Sequence, residues 1–142
     1  MSTKVKEMVN EEEWLEAFPV MNELRTHLSE EEYLKLLSSM ILQGYRMFAL
    51  YAEGKVVAVT GIIELVNLYN LKHIYVYDLV TSDSERSKGY GEELLQYIHT
   101  VAKERGCQFV ALSSGLQRVD AHRFYEEKMK YQKTSFGFVY SV

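Results

Sequence analysis

The spacing of apolar positions predicts two helices near the start of the chain. Residues 11–18 and 33–41 place apolar side chains at helical intervals, and each segment follows a capping pattern, Asn10 with Glu13 and Ser29 with Glu32. Pro19 lacks a backbone donor, so the first helix is expected to break or kink there.

Strand patterns begin after Gly44, which is expected to end the second helix. The predicted strands are 46–51, 55–65, 73–81, 109–112 and 133–140, and the later predicted helices are 92–105 and 119–129. Three consecutive strands indicate an antiparallel meander, and the strand–helix–strand unit from 73 to 112 indicates a parallel pair with a right-handed crossover. We therefore expect a single domain over residues 1–142, of mixed α/β (α+β) class, with a mostly antiparallel sheet and helices on both faces.

Composition and charge exclude several classes of protein. The chain has 142 residues, one cysteine and a net charge of −4, so an internal disulfide is excluded and a basic nucleic-acid face is not expected. No apolar run approaches the roughly 20 residues needed to cross a bilayer. Residues 1–7 lack the apolar core of a signal peptide. These features predict a cytoplasmic protein without a membrane or nucleic-acid partner.

The negative charge is concentrated near the start of the chain. Residues 1–35 contain nine acidic and four basic side chains. This excess could attract a cationic substrate, or it could simply reflect two solvated helix faces.

The stretch from Asp78 to Leu95 carries the most specific chemical signal. An apolar strand leads into a polar loop that contains Gly89 and Gly91, and a helix follows directly. Such a junction directs free backbone N–H groups and the positive end of the helix dipole to one point, which suits a phosphate or diphosphate. The dinucleotide fingerprint would need a third glycine where Leu94 stands, and no P-loop sequence occurs.

Two motifs resemble those of the GCN5-related N-acetyltransferases. The pattern Arg-x-x-Gly-x-Gly at residues 86–91, after the apolar strand, resembles the coenzyme A diphosphate loop of that family. Residues 121–131 resemble the helix of that family that contains Ala-x-x-Phe-Tyr and leads to Gly-Phe/Tyr. Two positions depart from the pattern: Lys130 replaces the usual glycine, and Asp120 stands where many members have asparagine.

The resemblance implies an acyl-CoA N-acyltransferase fold, acetyl-CoA as co-substrate and no metal. It places the cofactor against Leu79, Val80, Thr81, Arg86, Ser87, Lys88, Gly89, Tyr90, Gly91 and Glu92. By this resemblance, the Leu79 N–H would face the thioester oxygen and Thr81 would bond the pantetheine arm through its main chain. Tyr125 would protonate the departing thiolate, as its counterpart does in many members.

The general base is less well defined. Asp78 is the only carboxylate in its strand, and burial would favour its acting as a base. Alternatively, Asp78 only shapes the site through hydrogen bonds, or a water relay removes the proton.

The acceptor is expected to be the primary amine of a small molecule. The segment from Arg118 to Phe138 is locally similar to aminoalkylphosphonate and related small-amine N-acetyltransferases. A protein lysine or N-terminal amine is the alternative acceptor, and a coenzyme A-binding sensor without catalysis is the alternative class. The apolar end of the chain, residues 139–142, could pair across a homodimer.

Overall fold

The computed structural model describes residues 2–142, which form five strands and four α-helices. In chain order the elements are β1 (Thr3–Met8), α1 (Glu11–Leu24), α2 (Glu30–Leu42), β2 (Arg46–Ala52), β3 (Lys55–Asn67), β4 (Leu71–Thr81), a 3-10 turn (Asp83–Glu85), α3 (Tyr90–Glu104), β5 (Phe109–Leu112), α4 (Val119–Arg123) and a π-helical turn (Phe124–Lys128). The chain divides into two compact units, one ending at Ala111 and the other running over Leu112–Val142.

The strands form one sheet in the order β1-β2-β3-β4-β5. The first four are antiparallel neighbours, and β4 with β5 forms the single parallel pair. Helices α1 and α2 share a core with Met47 and Ala49 of β2. The intervening Phe48 packs against Tyr97 of α3. Because successive residues of a strand point to opposite faces, the helices cover both faces, and the predicted mixed α+β class is confirmed.

Local signals set the ends of the helices as the sequence predicts. Asn10 accepts a hydrogen bond from the Glu13 N–H, and Ser29 with Glu32 forms a complete capping box. Gly44 has a φ of 105°, and the Tyr45 N–H donates to Met40 O at 3.1 Å. This Schellman-type ending fixes the direction in which the chain enters β2.

Of the two expected effects of Pro19, the break is wrong, because α1 continues through it to Leu24. Proline removes one helical hydrogen bond. The helix nevertheless buries Ala17, Val20 and Met21 on the sheet. This packing stabilises the helix despite the missing bond.

Three other differences concern pairing and helix type. Residues 3–8 form an edge strand that alternates exposed Lys4 and Lys6 with less exposed neighbours, a charged pattern typical of edges. The strand predicted at 133–140 is absent, because residues 130–142 contain no helix or strand. A strand also needs a neighbouring strand to accept and donate its backbone hydrogen bonds, and an alternating sequence pattern does not provide one. The helix predicted at 119–129 changes to π geometry at Phe124.

Among residues 2–142, no helix is both long and apolar enough to cross a membrane.

Gly61 of β3 leaves the space that the Tyr45 side chain fills. A Cβ added to Gly61 would lie 1.6 Å from the Tyr45 hydroxyl oxygen and 2.2 Å from Cζ. Tyr45 is buried and Gly61 lies within β3, so neither can move aside easily.

We therefore expect Gly61→Ala to lower the free energy of unfolding by about 1–3 kcal/mol through overpacking. Denaturant unfolding measures this change. Gly137→Ala is the control, because its added Cβ meets no atom within 4 Å. Equal stability of the two variants would contradict the packing described for Tyr45.

Candidate functional site

The turn before α3 presents backbone donors that no other part of the described chain uses. Gly89 is the N-cap of α3, with a φ of 83° and no side-chain cap. Within residues 2–142, no hydrogen bond has the backbone N–H of Gly89, Tyr90 or Gly91 as its donor. Three neighbouring donors at the positive end of a 15-residue helix are chemically suited to an anion such as a phosphate.

The turn is open to solvent. The four residues from Arg86 to Gly89 are all exposed, and Ser87 adopts a left-handed φ of 67°. No Cβ contact occurs within 4 Å at Gly89. A ligand can therefore approach the main chain of residues 87–89 closely.

The two cations expected at the anion site are paired with acidic side chains of the preceding 3-10 turn. Arg86 Nη2 lies 2.9 Å from Asp83 Oδ1. Glu85 is buried, and its two carboxylate oxygens accept separately from Lys88 Nζ and Lys55 Nζ, each at 3.0 Å. The hydrogen bond from Lys88, followed by that from Lys55, holds the pKa of Glu85 below its ordinary value. Glu85 thus links the loop both to Lys55 of β3 and to Lys88 in the loop itself.

The strand that leads to this turn is interrupted by a β-bulge. Gly61 pairs with Asp78 and Ile62 pairs with Val76, so Tyr77 has no partner on β3. Leu79 and Val80 are buried after the bulge, and Thr81 is half-buried. A bulge redirects the residues that follow it, as at many binding sites.

Both carboxylate oxygens of Asp78 already accept hydrogen bonds. Arg25 Nε donates to Oδ1 at 2.8 Å, and the Tyr45 hydroxyl donates to Oδ2 at 2.7 Å. Burial, followed by the nearby charge of Asp78, raises the pKa of Tyr45 well above its ordinary value, so this phenol remains a donor. The sequence singled out Asp78 but gave no signal for Arg25 or Tyr45, which are distant in the chain.

In the second unit, Tyr125 lies on the π-helical turn. Its ring is 5.4 Å from that of Phe124 and 6.0 Å from that of Tyr131, measured between centroids. Burial raises the pKa of Tyr125. Lys130, which replaces a glycine of the family motif, has a left-handed φ of 63°. The backbone therefore keeps at Lys130 a conformation that favours glycine.

The surroundings of His122 and of Cys107 indicate structural roles for both side chains. His122 Nε2 lies 2.7 Å from Gly115 O. Burial raises the pKa of the Cys107 thiol, which disfavours the nucleophilic thiolate. Over residues 2–142, no three His, Cys, Asp or Glu side chains are grouped so that they could hold a metal ion.

The ion pairs of Glu85 predict a pH-dependent stability. Because the folded-state pKa of Glu85 is lowered, its contribution is present above the unfolded-state pKa of about 4.3 and is lost as pH falls through the folded-state value. Glu85→Gln should therefore destabilise the protein at pH 7 and should cost much less below about pH 4. Urea unfolding of both proteins across this range measures the difference. The exposed Glu104 supplies the control Glu104→Gln, and a pH-independent cost for Glu85→Gln would contradict the assignment.

Comparisons of the sequence with known proteins identify one family. Residues 7–131 match the model of the acetyltransferase (GNAT) family. The chain is 44% identical over 135 residues to the uncharacterized N-acetyltransferase YhdJ of Bacillus subtilis (strain 168), an alignment that covers 94% of this chain and 95% of the relative. It is also 31% identical over 84 residues to an aminoalkylphosphonate N-acetyltransferase of Salmonella typhimurium (strain LT2), covering 56% of this chain and 54% of that protein.

Solved structures share the fold. The aminoglycoside N-acetyltransferase AAC(6')-Iy in complex with CoA has a TM-score of 0.85 at 12% identity, covering 99% of this chain and 95% of that one. A GNAT family acetyltransferase of Staphylococcus aureus has a TM-score of 0.80 at 20% identity, covering 100% of both chains. At these identities the likeness shows the fold alone. The family match and the 44% identical relative show that this chain belongs to the GNAT family of acetyltransferases.

Proposed function

We propose that the protein transfers the acetyl group of acetyl-CoA to a primary amine of a small molecule, with both substrates bound together. The observation that carries the proposal is the exposed turn before α3, where the N–H groups of Gly89, Tyr90 and Gly91 have no acceptor within residues 2–142. A diphosphate offers several anionic oxygens to such a group of donors. Membership of the GNAT family supports acetyl transfer.

In this proposal the diphosphate of coenzyme A binds at residues 86–92. The N–H groups of Gly89, Tyr90 and Gly91 donate to it, while Arg86, Ser87, Lys88 and Glu92 surround it. Arg86 and Lys88 are paired with Asp83 and Glu85, so they share their charge between those carboxylates and the ligand. The pantetheine arm and thioester then lie along Leu79, Val80 and Thr81.

The reaction needs a neutral amine and an acid for the leaving group. The amine lone pair attacks the thioester carbonyl carbon, the C–N bond forms and the C–S bond breaks, and the thiolate accepts a proton. We assign the Leu79 N–H to the carbonyl oxygen, where one such donor contributes up to about 3 kcal/mol. We assign the proton to Tyr125. A phenol already carries its proton at neutral pH, as a proton donor requires, and burial raises the pKa of Tyr125 further.

Asp78 is better suited to positioning than to proton abstraction. Its two oxygens accept from Arg25 and from Tyr45. A base would have to give up one of these bonds to bind a substrate proton. This arrangement supports the interpretation in which Asp78 shapes the site and a water relay receives the proton of the amine.

A small-molecule acceptor is supported by the sequence similarity to an aminoalkylphosphonate N-acetyltransferase. Amino acids, polyamines, aminoglycosides and aminophosphonates are the first classes to test, with a peptide amine as the alternative. Release of free thiol with one of these amines supports the enzyme, whereas tight cofactor binding without turnover supports a sensor. A homodimer and a cytoplasmic location stay predictions.

The diphosphate assignment predicts that a change at Arg86 weakens binding of acetyl-CoA but not of a thioester that lacks the diphosphate. Arg86→Glu should raise KM for acetyl-CoA by roughly 10- to 100-fold, the value of a hydrogen bond to a charged group. It should change KM little for S-acetylpantetheine, which lacks the diphosphate. Steady-state kinetics with both thioesters measures the difference. Arg105→Glu is the control, because Arg105 is similarly exposed but lies beyond the other end of α3. An equal loss with both thioesters would remove Arg86 from the diphosphate site.

The acid assignment predicts a loss in turnover. Tyr125→Phe should lower kcat roughly 100-fold and leave the Kd for coenzyme A within about twofold, because only the phenolic proton is removed. Tyr131→Phe is the control, since the Tyr131 ring lies beside that of Tyr125 and burial also raises its pKa. Retention of kcat by Tyr125→Phe, or an equal loss in Tyr131→Phe, would show that Tyr125 is not the proton donor.

A further inference from the structure

We infer that Glu23 and Arg25, at the C-terminal end of α1, are positioning residues that hold the two ends of the segment between the β4 bulge and the turn before α3. Arg25 binds the strand at Tyr77 and Asp78. Glu23 binds the chain at Ser82 and Asp83. Residues 79–81 lie between these points. The inference rests on the proposed function, because that proposal places the thioester and pantetheine against these three residues.

The first attachment consists of two charged hydrogen bonds from one guanidinium. Arg25 Nε donates to Asp78 Oδ1 at 2.8 Å, and Arg25 Nη2 donates to the Tyr77 carbonyl oxygen at 2.7 Å. Tyr77 is the bulged residue without a partner on β3. The guanidinium therefore supplies a donor for a carbonyl at the bulge and neutralises the buried carboxylate beside it.

The main chain on both sides of this attachment is fixed. The Asn22 amide donates to Arg25 O at 2.9 Å and to Leu28 O at 3.1 Å, which holds the turn after α1. The buried Thr60 hydroxyl of β3 donates to Asp78 O of β4 at 2.7 Å. Arg25 thus connects two segments that are each held by other bonds, and its side chain sets the distance between them.

The second attachment is made by a single carboxylate. Glu23 Oε1 accepts from the Asp83 N–H at 2.7 Å, and Oε2 accepts from the Ser82 hydroxyl at 3.2 Å. The Ser82 N–H in turn donates to Val57 O at 2.9 Å. Glu23 therefore holds the first residues after β4, where the chain turns toward the donors at the start of α3.

The two attachments share a rigid base. Helix α1 buries Ala17, Val20 and Met21 in the core that it shares with the sheet. Residues 79–81 are therefore fixed relative to α1 at both ends. A displacement of about 1 Å in such a segment can lower a rate roughly 100-fold, so loss of either attachment should affect turnover more than binding of the cofactor.

The kinetic test compares these two attachments with the ion pair of Arg46 and Glu7. Arg25→Gln and Glu23→Gln should each lower kcat roughly 10- to 100-fold and change KM for acetyl-CoA by less than about threefold. Arg46→Gln and Glu7→Gln are the matched controls. Arg46 is as exposed as Arg25, at 42% against 40% of the side chain, and donates two hydrogen bonds to Glu7 between β2 and β1. The controls should keep kcat within about twofold.

A measurement on the ligand-free protein separates this inference from the proposed function. Hydrogen exchange followed by NMR should show faster exchange of the amides at residues 77–83 in Arg25→Gln and Glu23→Gln, by roughly 10-fold relative to the controls. If the wild-type protein turns over no thioester, the proposed function fails while the exchange result still decides the role of α1. Exchange and kcat that match those of Arg46→Gln and Glu7→Gln would overturn the inference.

Discussion

The N–H groups at the start of α3 that have no acceptor within residues 2–142 are the constraint on which the rest of the site depends. A helix start leaves donors without internal partners, and in this protein neither a side-chain cap nor another hydrogen bond within residues 2–142 uses those of Gly89, Tyr90 and Gly91. The glycine N-cap and the left-handed Ser87 bring the main chain to the surface. The arrangement leaves these N–H groups unpaired at some cost in helix stability, because an Asn, Asp or Ser cap would be more favourable.

Carboxylates hold the chain around those donors from several directions. Glu85 joins Lys55 of β3 to Lys88 of the turn, and Glu23 joins α1 to the residues after β4. Asp78 joins β4 to Arg25 and to Tyr45. Each of these acidic groups accepts from two donors, and Asp78 and Glu85 also pair with cationic side chains. The donors at the start of α3 can then act on a ligand without competition from a free carboxylate of these three residues.

The sequence predicts those parts of the molecule that depend on neighbouring residues. The caps at Asn10 and Ser29 and the helix end at Gly44 are short-range features, and the structure contains all three. The bonds of Arg25 to Asp78 and of Tyr45 to Asp78 join residues 53 and 33 positions apart. No periodicity or spacing encodes such contacts, because they depend on how α1 and β2 pack against β4. The continuity of α1 through Pro19 has the same origin, since tertiary burial of one helix face outweighs a local propensity.

The most direct test of the account is a crystal structure of the protein with coenzyme A. The account predicts that diphosphate oxygens lie about 2.7–3.2 Å from the backbone nitrogens of Gly89, Tyr90 and Gly91. It also predicts that the pantetheine arm runs along residues 79–81. A diphosphate bound elsewhere, with these three N–H groups facing only solvent, would contradict the account.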